Sequence, residues 1–334
     1  MEKRIIFYSL IVATFLFSCK EDEKPTEPVK PIIIKPVVVV NTPNFNQDSA
    51  YNFIQKQVDF GPRVPNTKAH KECAIYLEKT LENYGAKVLV QEAVVTAFNN
   101  DKLQIKNIIG QFSPEKKNRV MLFAHWDTRP FADHDDKNKH KPIDGANDGG
   151  SGVGVLLEIA RQISKENTTV GVDIIFFDAE DYGAFSGGIQ QMADDWCLGS
   201  QYWGKNPPIA NYHPKYGILL DIVGGKDAVF PKEYFSTYFA ESVVTKVWSK
   251  AQKLGYGNYF INKRLSANQQ ITDDHRYVNI LAKIPSIDII NYDTELDNPF
   301  GDFHHKHSDN MELIDKNTLK AVGQTVMEVI YQEK

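Results

Sequence analysis

The sequence predicts an α/β protein: an open, mixed but largely parallel sheet with helices on both faces. Three observations carry that reading. Short apolar runs alternate with longer segments of helical periodicity, as in a wound α/β sheet. Several runs are apolar at consecutive positions, the pattern of strands buried on both faces. Three of them also stop abruptly at acids or histidines: 120–124 at His125 and Asp127, 172–177 at Asp178, Glu180 and Asp181, and 216–220 at Asp221. In open α/β sheets the functional crevice lies at the carboxyl ends of the strands. The fold would therefore gather residues that are far apart in the chain.

Composition is ordinary for a globular protein of 334 residues, with 42% apolar and 24% charged. The net charge is −5 and no basic block is present, which argues against nucleic-acid partners. The first residues form a targeting segment. Two bases within M-E-K-R precede an apolar run over 5–17 that ends L-F-S-C at Cys19. A membrane span needs roughly 20 apolar residues, and this run is shorter. With cysteine directly after Ser18, the segment is similar to a bacterial lipoprotein signal: 1–18 removed, Cys19 lipidated. The K-E-D-E that follows resembles a surface-export tag. The expected location is the periplasm or cell surface, held to the outer membrane by lipid. Residues 19–44 are proline-rich, a semi-rigid tether. The apolar pieces 32–34 and 37–40 would otherwise make an edge strand. Residues 45–334 form one catalytic α/β domain. Cys73 and Cys197, without spacing information, support no pairing.

Along that domain, helices are expected over 48–60 and 68–84. The second carries Ala74, Ile75, Leu77 and Leu81 on its core face and Gly85 as its stop. Strands are expected over 88–95, 103–112 and 120–124. A charged loop over 128–144 holds His134 and His140. It closes in G-A-N-D-G-G-S-G-V-G, from which a helix runs over 153–163. Strands over 172–177, 216–220 and 284–290 follow, with helices over 235–254 and 317–331. No internal repeat is visible.

The chemistry concentrates in a few places. In I-I-F-F-D-A-E-D-Y-G, 174–183, three acids crowd the end of a buried strand. Adjacent acids repel one another, so a bound cation or a proton-transfer role gives them a reason to be there. A solvated acidic turn is the plain alternative. Asp148 sits in the glycine-rich turn, where a carboxylate favours the helix start, and a simple cap is its plain alternative. That turn lacks the features of a phosphate loop or a dinucleotide fingerprint. Near the end, F-H-H-K-H-S-D-N at 303–310 offers imidazoles, the commonest zinc ligands.

Five motifs in this order, A-H-W-D, G-A-N-D, F-F-D-A-E-D, L-D-I-V-G and H-K-H-S-D-N, resemble the zinc aminopeptidase superfamily. Within it the chain is most similar to glutaminyl cyclases of the animal type and their bacterial relatives, from about residue 48 to the C-terminus. T-D-D-H at 272–275 is the discriminating segment. The resemblance implies one Zn2+ held by Asp148, Asp181 and His305, and Glu180 as general acid–base. Asp221 and Asp273 would be its carboxylate partners, and Ile271 would line the substrate pocket. Substrates would be peptides or proteins with N-terminal glutamine, closed to pyroglutamate with loss of ammonia. Three positions depart from the animal pattern: Asp181 replaces Glu, His304 stands where a substrate-covering Trp is usual, and Asp288 where a buried His is expected.

Two rivals remain. In a two-zinc aminopeptidase, His125 and Asp221 would bind a second metal, Asp148 would bridge, and Glu180 would activate water. A binding lipoprotein without chemistry would be expected to lose Glu180 or a ligand, and none is lost. Trp126, Trp196 and Trp203 could each line a pocket or fill core, and core is the expectation. His70, His213 and His275 are expected in structural hydrogen bonds.

Overall fold

The computed structural model describes residues 41–186 and 192–334. Cys19, the segment 1–18 and the tether up to residue 40 lie outside the described residues. Residues 41–46 run without regular structure into the first helix.

Among the described residues eight strands form: β1 (Lys87–Thr96), β2 (Lys102–Phe112), β3 (Arg119–His125), β4 (Gly171–Phe177), β5 (Gly217–Asp221), β6 (Phe230–Lys232), β7 (Phe260–Arg264) and β8 (Ser286–Ile290). Six of them make the main sheet, in the order β1-β2-β4-β3-β5-β8. β4, β3, β5 and β8 run parallel, whereas β1 and β2 are joined antiparallel at one edge. The mixed, largely parallel sheet expected from the sequence is thus present. β6 and β7 pair separately.

The helices are α1 (Gln47–Val58), α2 (Lys68–Asn83), α3 (Gly150–Ile163), α4 (Leu198–Lys205), α5 (Tyr234–Lys253), α6 (Asp274–Tyr277) and α7 (Lys316–Tyr331). The starts of α1, α2 and α7 are capped by short polar side chains, which accept bonds from amides left free in a first turn. Asn46 accepts from Ser49, Thr67 from His70, and Asp315 from Asn317 and Thr318. Alternate strand residues point to opposite faces. Leu122, Ile174, Phe176 and Leu220 pack with α1, α3, α5 and α7, whereas Phe123, Ile175, Phe177 and Leu219 pack with Trp203 of α4 and with Val278. Every residue of β3, β4, β5 and β8 is buried. Helices therefore cover both faces, and the carboxyl ends of the parallel strands open onto the loops that carry His125, Glu180 and Asp221.

The differences from expectation have local causes. Ile75 is 50% exposed, because the buried stripe of α2 runs through His70, Cys73, Ala74, Leu77 and Leu81. α3 begins three residues early, at Gly150, and runs through glycines that would weaken an isolated helix. Close packing explains them: a Cβ on Gly152 would stand 2.1 Å from the Leu220 carbonyl oxygen and 2.9 Å from Ala124 Cβ. α4, α6 and the β6–β7 pair were not foreseen. Each is short, and periodicity needs length to show. Cys73 and Cys197 are both buried and unpaired.

Near the C-terminus, Glu333 accepts from Lys215 Nζ at 2.8 Å, Lys246 Nζ at 2.5 Å and the Tyr216 hydroxyl at 2.7 Å. Burial opposes its charge, but the two lysines and the hydroxyl hold its pKa down at about 2. The folded value lies below the unfolded one, so this stabilisation is present above about pH 4.3 and is lost as the pH falls toward 2. Both lysines are more than one third exposed, which screens the pair. Glu333→Gln should therefore cost only about 1 kcal/mol at pH 7. In denaturant titrations the gap between the two chains should narrow below about pH 4.3 and close only as the pH nears 2; equal stability at pH 7 would contradict it.

Candidate active site

The site is built where β3, β4 and β5 end. β3 delivers His125, and the next turn carries Asp127, whose carboxylate accepts from the amides of Glu180 at 3.0 Å and Asp181 at 3.2 Å. One motif thereby fixes the turn of another. Ala179 in that turn is left-handed (φ 52°), which swings Glu180 and Asp181 away from the strand direction. Asp178 goes elsewhere: it accepts from the Lys106 amide at 2.6 Å and pairs with His70 Nε2 at 2.8 Å. Asp148 is held by its own amide, which donates to Asp309 at 3.0 Å, next to the Asn147 amide at 2.7 Å. Gly149 (φ 76°) then lets the turn pass close to His125, since a Cβ there would stand 2.8 Å from His125 Cε1. Asp273 caps α6, and His305 sits on a loop with φ 58°. Left-handed Ala179, Ile222 and His305 place non-glycine strain around one crevice, as functional sites commonly do.

The donor atoms of Asp148, Asp181 and His305 lie within 4.8 Å of one another, all buried. His305 Nε2 is 3.3 Å from Asp181 Oδ1 and 4.0 Å from Asp148 Oδ2. Asp181 Oδ2 is buried without a hydrogen-bond partner. Burial, then Asp148, pushes the Asp181 pKa well above the usual carboxylate range. Burial, then Arg129, holds His305 well below the usual histidine value, which keeps it neutral. Two acids and a neutral imidazole around an unsatisfied buried oxygen fit a zinc ion with one position left for substrate. On the other side, His125 Nε2 stands 3.1 Å from Asp148 Oδ1 and 3.2 Å from Asp221 Oδ1. Burial opposes charge on His125, but Asp127, Asp148 and Asp221 hold its pKa well above the ordinary value. The donor atoms of His125, Asp148 and Asp221 also lie within 4.8 Å of one another, so the residue types of a second metal are present too.

Glu180 faces the cavity. Cys197 grips it twice: its amide donates to the Glu180 carbonyl at 2.9 Å and its thiol to Oε1 at 3.1 Å. Asp273 is beside them, its carboxylate within 4.8 Å of the Glu180 and Cys197 donor atoms. Burial, then the nearby acids Asp273 and Asp181, raises Glu180 well above its usual range against the pull of His125. Burial raises Asp221 to about 7 and raises Asp273 as well. Behind them, Asp288 is fully buried, its pKa driven well above the usual carboxylate range by burial and then by Asp273 and Asp221. His275 links this layer to the scaffold, with Nε2 3.0 Å from Glu233 and Nδ1 3.8 Å from Asp288.

The cavity holds about 230 Å³, with Ile271, Ile290, Phe300, Trp196 and His304 among its walls. Every catalytic, metal-ligand or substrate-site residue expected from the sequence lines this cavity except His125, which stands directly behind Asp148 and Asp221. Trp126 and Trp203 are core residues, as expected. Trp196 is a correction: it lies in the cavity wall, stacked on His305 at 5.9 Å with Arg129 4.8 Å over its ring. Its loop is drawn across the site by Cys197, a long-range contact that periodicity cannot show. His213 is the other correction, being exposed at the surface. His70 and His275 do make structural bonds. Arg129 and Cys197 were missed, since neither carries a motif signal of its own.

A layered α/β fold with this donor set at its strand ends defines the zinc-exopeptidase-like class. The chain belongs to peptidase family M28, which it matches over residues 107–330. It is 56% identical to the Tannerella forsythia glutaminyl cyclase, covering 87% of this chain and 100% of that one, with a TM-score of 0.85. A Zn-dependent exopeptidase from Parabacteroides distasonis is equally similar: 56% identical, 88% and 100% covered, TM-score 0.85. The glutaminyl-peptide cyclotransferase of Boiga dendrophila is 26% identical over 65% of this chain. The match spans 62% of that relative's length.

Proposed function

We propose that this chain is a zinc-dependent glutaminyl-peptide cyclotransferase acting on peptides or proteins with N-terminal glutamine. The observation that carries the reading is Asp273. The T-D-D-H segment folds as the start of α6 and sets a third carboxylate against Glu180 and Asp221, inside a cavity sized for one side chain. A hydrolase needs one carboxylate to activate water and gains nothing from crowding it. A proton shuttle gains a carboxylate that holds and releases a proton near neutrality. The 56% identity to a glutaminyl cyclase supports the same reading.

Asp148, Asp181 and His305 would hold the zinc, which when bound supplies a Lewis acid toward the side-chain amide oxygen. The rest is work for the chain's own groups. Ile271, Trp196 and Phe300 enclose the glutamine side chain, so that its α-amine is folded onto its own amide carbon. That intramolecular approach is the main source of rate. Glu180 accepts a proton from the attacking amine and returns one to the leaving nitrogen. A C–N bond closes the lactam, the old C–N bond breaks, and ammonia leaves. Asp221, Asp273 and Asp288 share the protons of the cluster and keep Glu180 in a state that both accepts and donates. Cys197 fixes one carboxylate oxygen and leaves the other toward substrate.

We also infer export, with Cys19 as a lipid attachment point to the outer membrane, in the periplasm or at the surface. The basic start, short apolar run and L-F-S-C ending support it. Labelling cells with a radioactive fatty acid tests this: Cys19→Ala should lose the label and leave the membrane fraction. An unlabelled wild-type chain would sink the inference.

The decisive test of activity is mass spectrometry of glutamine-initiated peptides incubated with the purified domain. The expected product has lost one ammonia and no residue. Glu180→Gln should lower kcat about 100-fold or more while retaining zinc. Release of the free first residue from several peptides would instead make the chain an aminopeptidase.

A further inference from the structure

The loop between β3 and α3 lies against two of the three metal ligands through a single ion pair. Arg129 and Asp133 are both fully buried, and they meet in a bidentate fork: Nε to Oδ1 at 2.7 Å and Nη2 to Oδ2 at 2.6 Å. From this fork Arg129 Nη1 reaches Asp181, 3.1 Å from its carbonyl oxygen and 3.4 Å from Oδ1. The same guanidinium holds the carbonyls of Gly183 at 3.4 Å and Ala184 at 3.1 Å, the chain that continues from Asp181. On the opposite side, Asp133 Oδ1 stands 3.6 Å from Nδ1 of His305, the ring nitrogen that faces away from Asp181. Its Oδ2 accepts from the Ser186 amide at 2.7 Å. The next residue, His134, donates its amide to the His305 carbonyl at 3.3 Å.

A buried arginine alone would repel a cation at this distance. Here its charge is cancelled by Asp133, whose own pKa is held down at about 2 against burial by the same arginine. What remains is geometry. A carboxylate 3.6 Å behind a histidine is beyond hydrogen-bond length, but its charge favours the proton on the outer nitrogen and so presents the inner lone pair. A planar guanidinium fixes both the backbone and one oxygen of an acid.

Resting on the metal reading above, we propose that Arg129 and Asp133 are the positioning pair of the zinc centre. Arg129 sets Asp181 and Asp133 sets His305, so one ion pair fixes the separation of two ligands that are far apart in sequence. The competing role is that of a loop brace, which would stabilise the chain without affecting the metal.

Zinc affinity measured by chelator competition separates the two, with thermal unfolding of the metal-free chains measured alongside. Asp133→Asn is isosteric and keeps an acceptor for Ser186. It should weaken zinc about 10- to 100-fold while the metal-free chain stays folded at the assay temperature, although the less compensated Arg129 lowers its unfolding temperature. Arg129→Lys, which keeps the charge but loses the fork, should weaken zinc similarly; if it fails to fold, Asp133→Asn decides alone. A folded Asp133→Asn chain with wild-type zinc affinity overturns the proposal. A wild-type chain that takes up no zinc would overturn the metal reading and this proposal with it. Failure of the cyclisation assay, with zinc affinity behaving as stated, would leave the positioning pair standing.

Discussion

Crowding of negative charge at one end of a buried sheet is the constraint on which the site depends. Asp148, Glu180, Asp181, Asp221, Asp273 and Asp288 are all buried, and carboxylates so placed do not all ionise. The fold answers in three ways. It sets cations among them, His125 on one side and Arg129 on the other. It aims backbone amides at selected oxygens, as Asp309 and Asp127 illustrate by each accepting two. It leaves the remaining acids to share protons. Stripping these answers from the sheet would make the strand ends intolerable, so scaffold and chemistry are not separable here.

Much of this was legible in the sequence because strand ends are abrupt. A fully apolar run that stops at His125, at Glu180 and Asp181, or at Asp221 announces both a buried strand and a crevice. The glycine turn around Asp148 and the histidine-rich loop at His305 add ligands of the right chemistry. What could not be read lies where the chain crosses back over itself. Trp196 reaches the cavity because Cys197 grips Glu180, and Arg129 matters because its loop folds onto Asp181. Neither contact leaves a periodic trace. Ile75 shows the converse: the helical pattern located α2 correctly, but its rotation was set by Cys73 and His70 packing inward.

The departures from the animal pattern also gain a physical setting. Asp288, where a histidine was expected, is a buried acid facing Asp273 and joined through His275 to Glu233. The layer behind Glu180 is thus acidic, and burial raises its carboxyl pKa values. His304 stacks between Phe300 and His305, at 4.6 Å and 3.7 Å, and so takes a wall position as an aromatic ring would.

The central claim is a one-metal site in which His125 serves as a hydrogen-bonded counter-charge to Asp148 and Asp221. Metal content of the purified, fully loaded domain, measured by elemental mass spectrometry, tests it most directly. The account predicts one zinc per chain, lost when Asp181 is replaced and retained when His125 is replaced. Two zinc ions per chain, with one lost on replacing His125, would contradict it and make His125 and Asp221 ligands of a second metal.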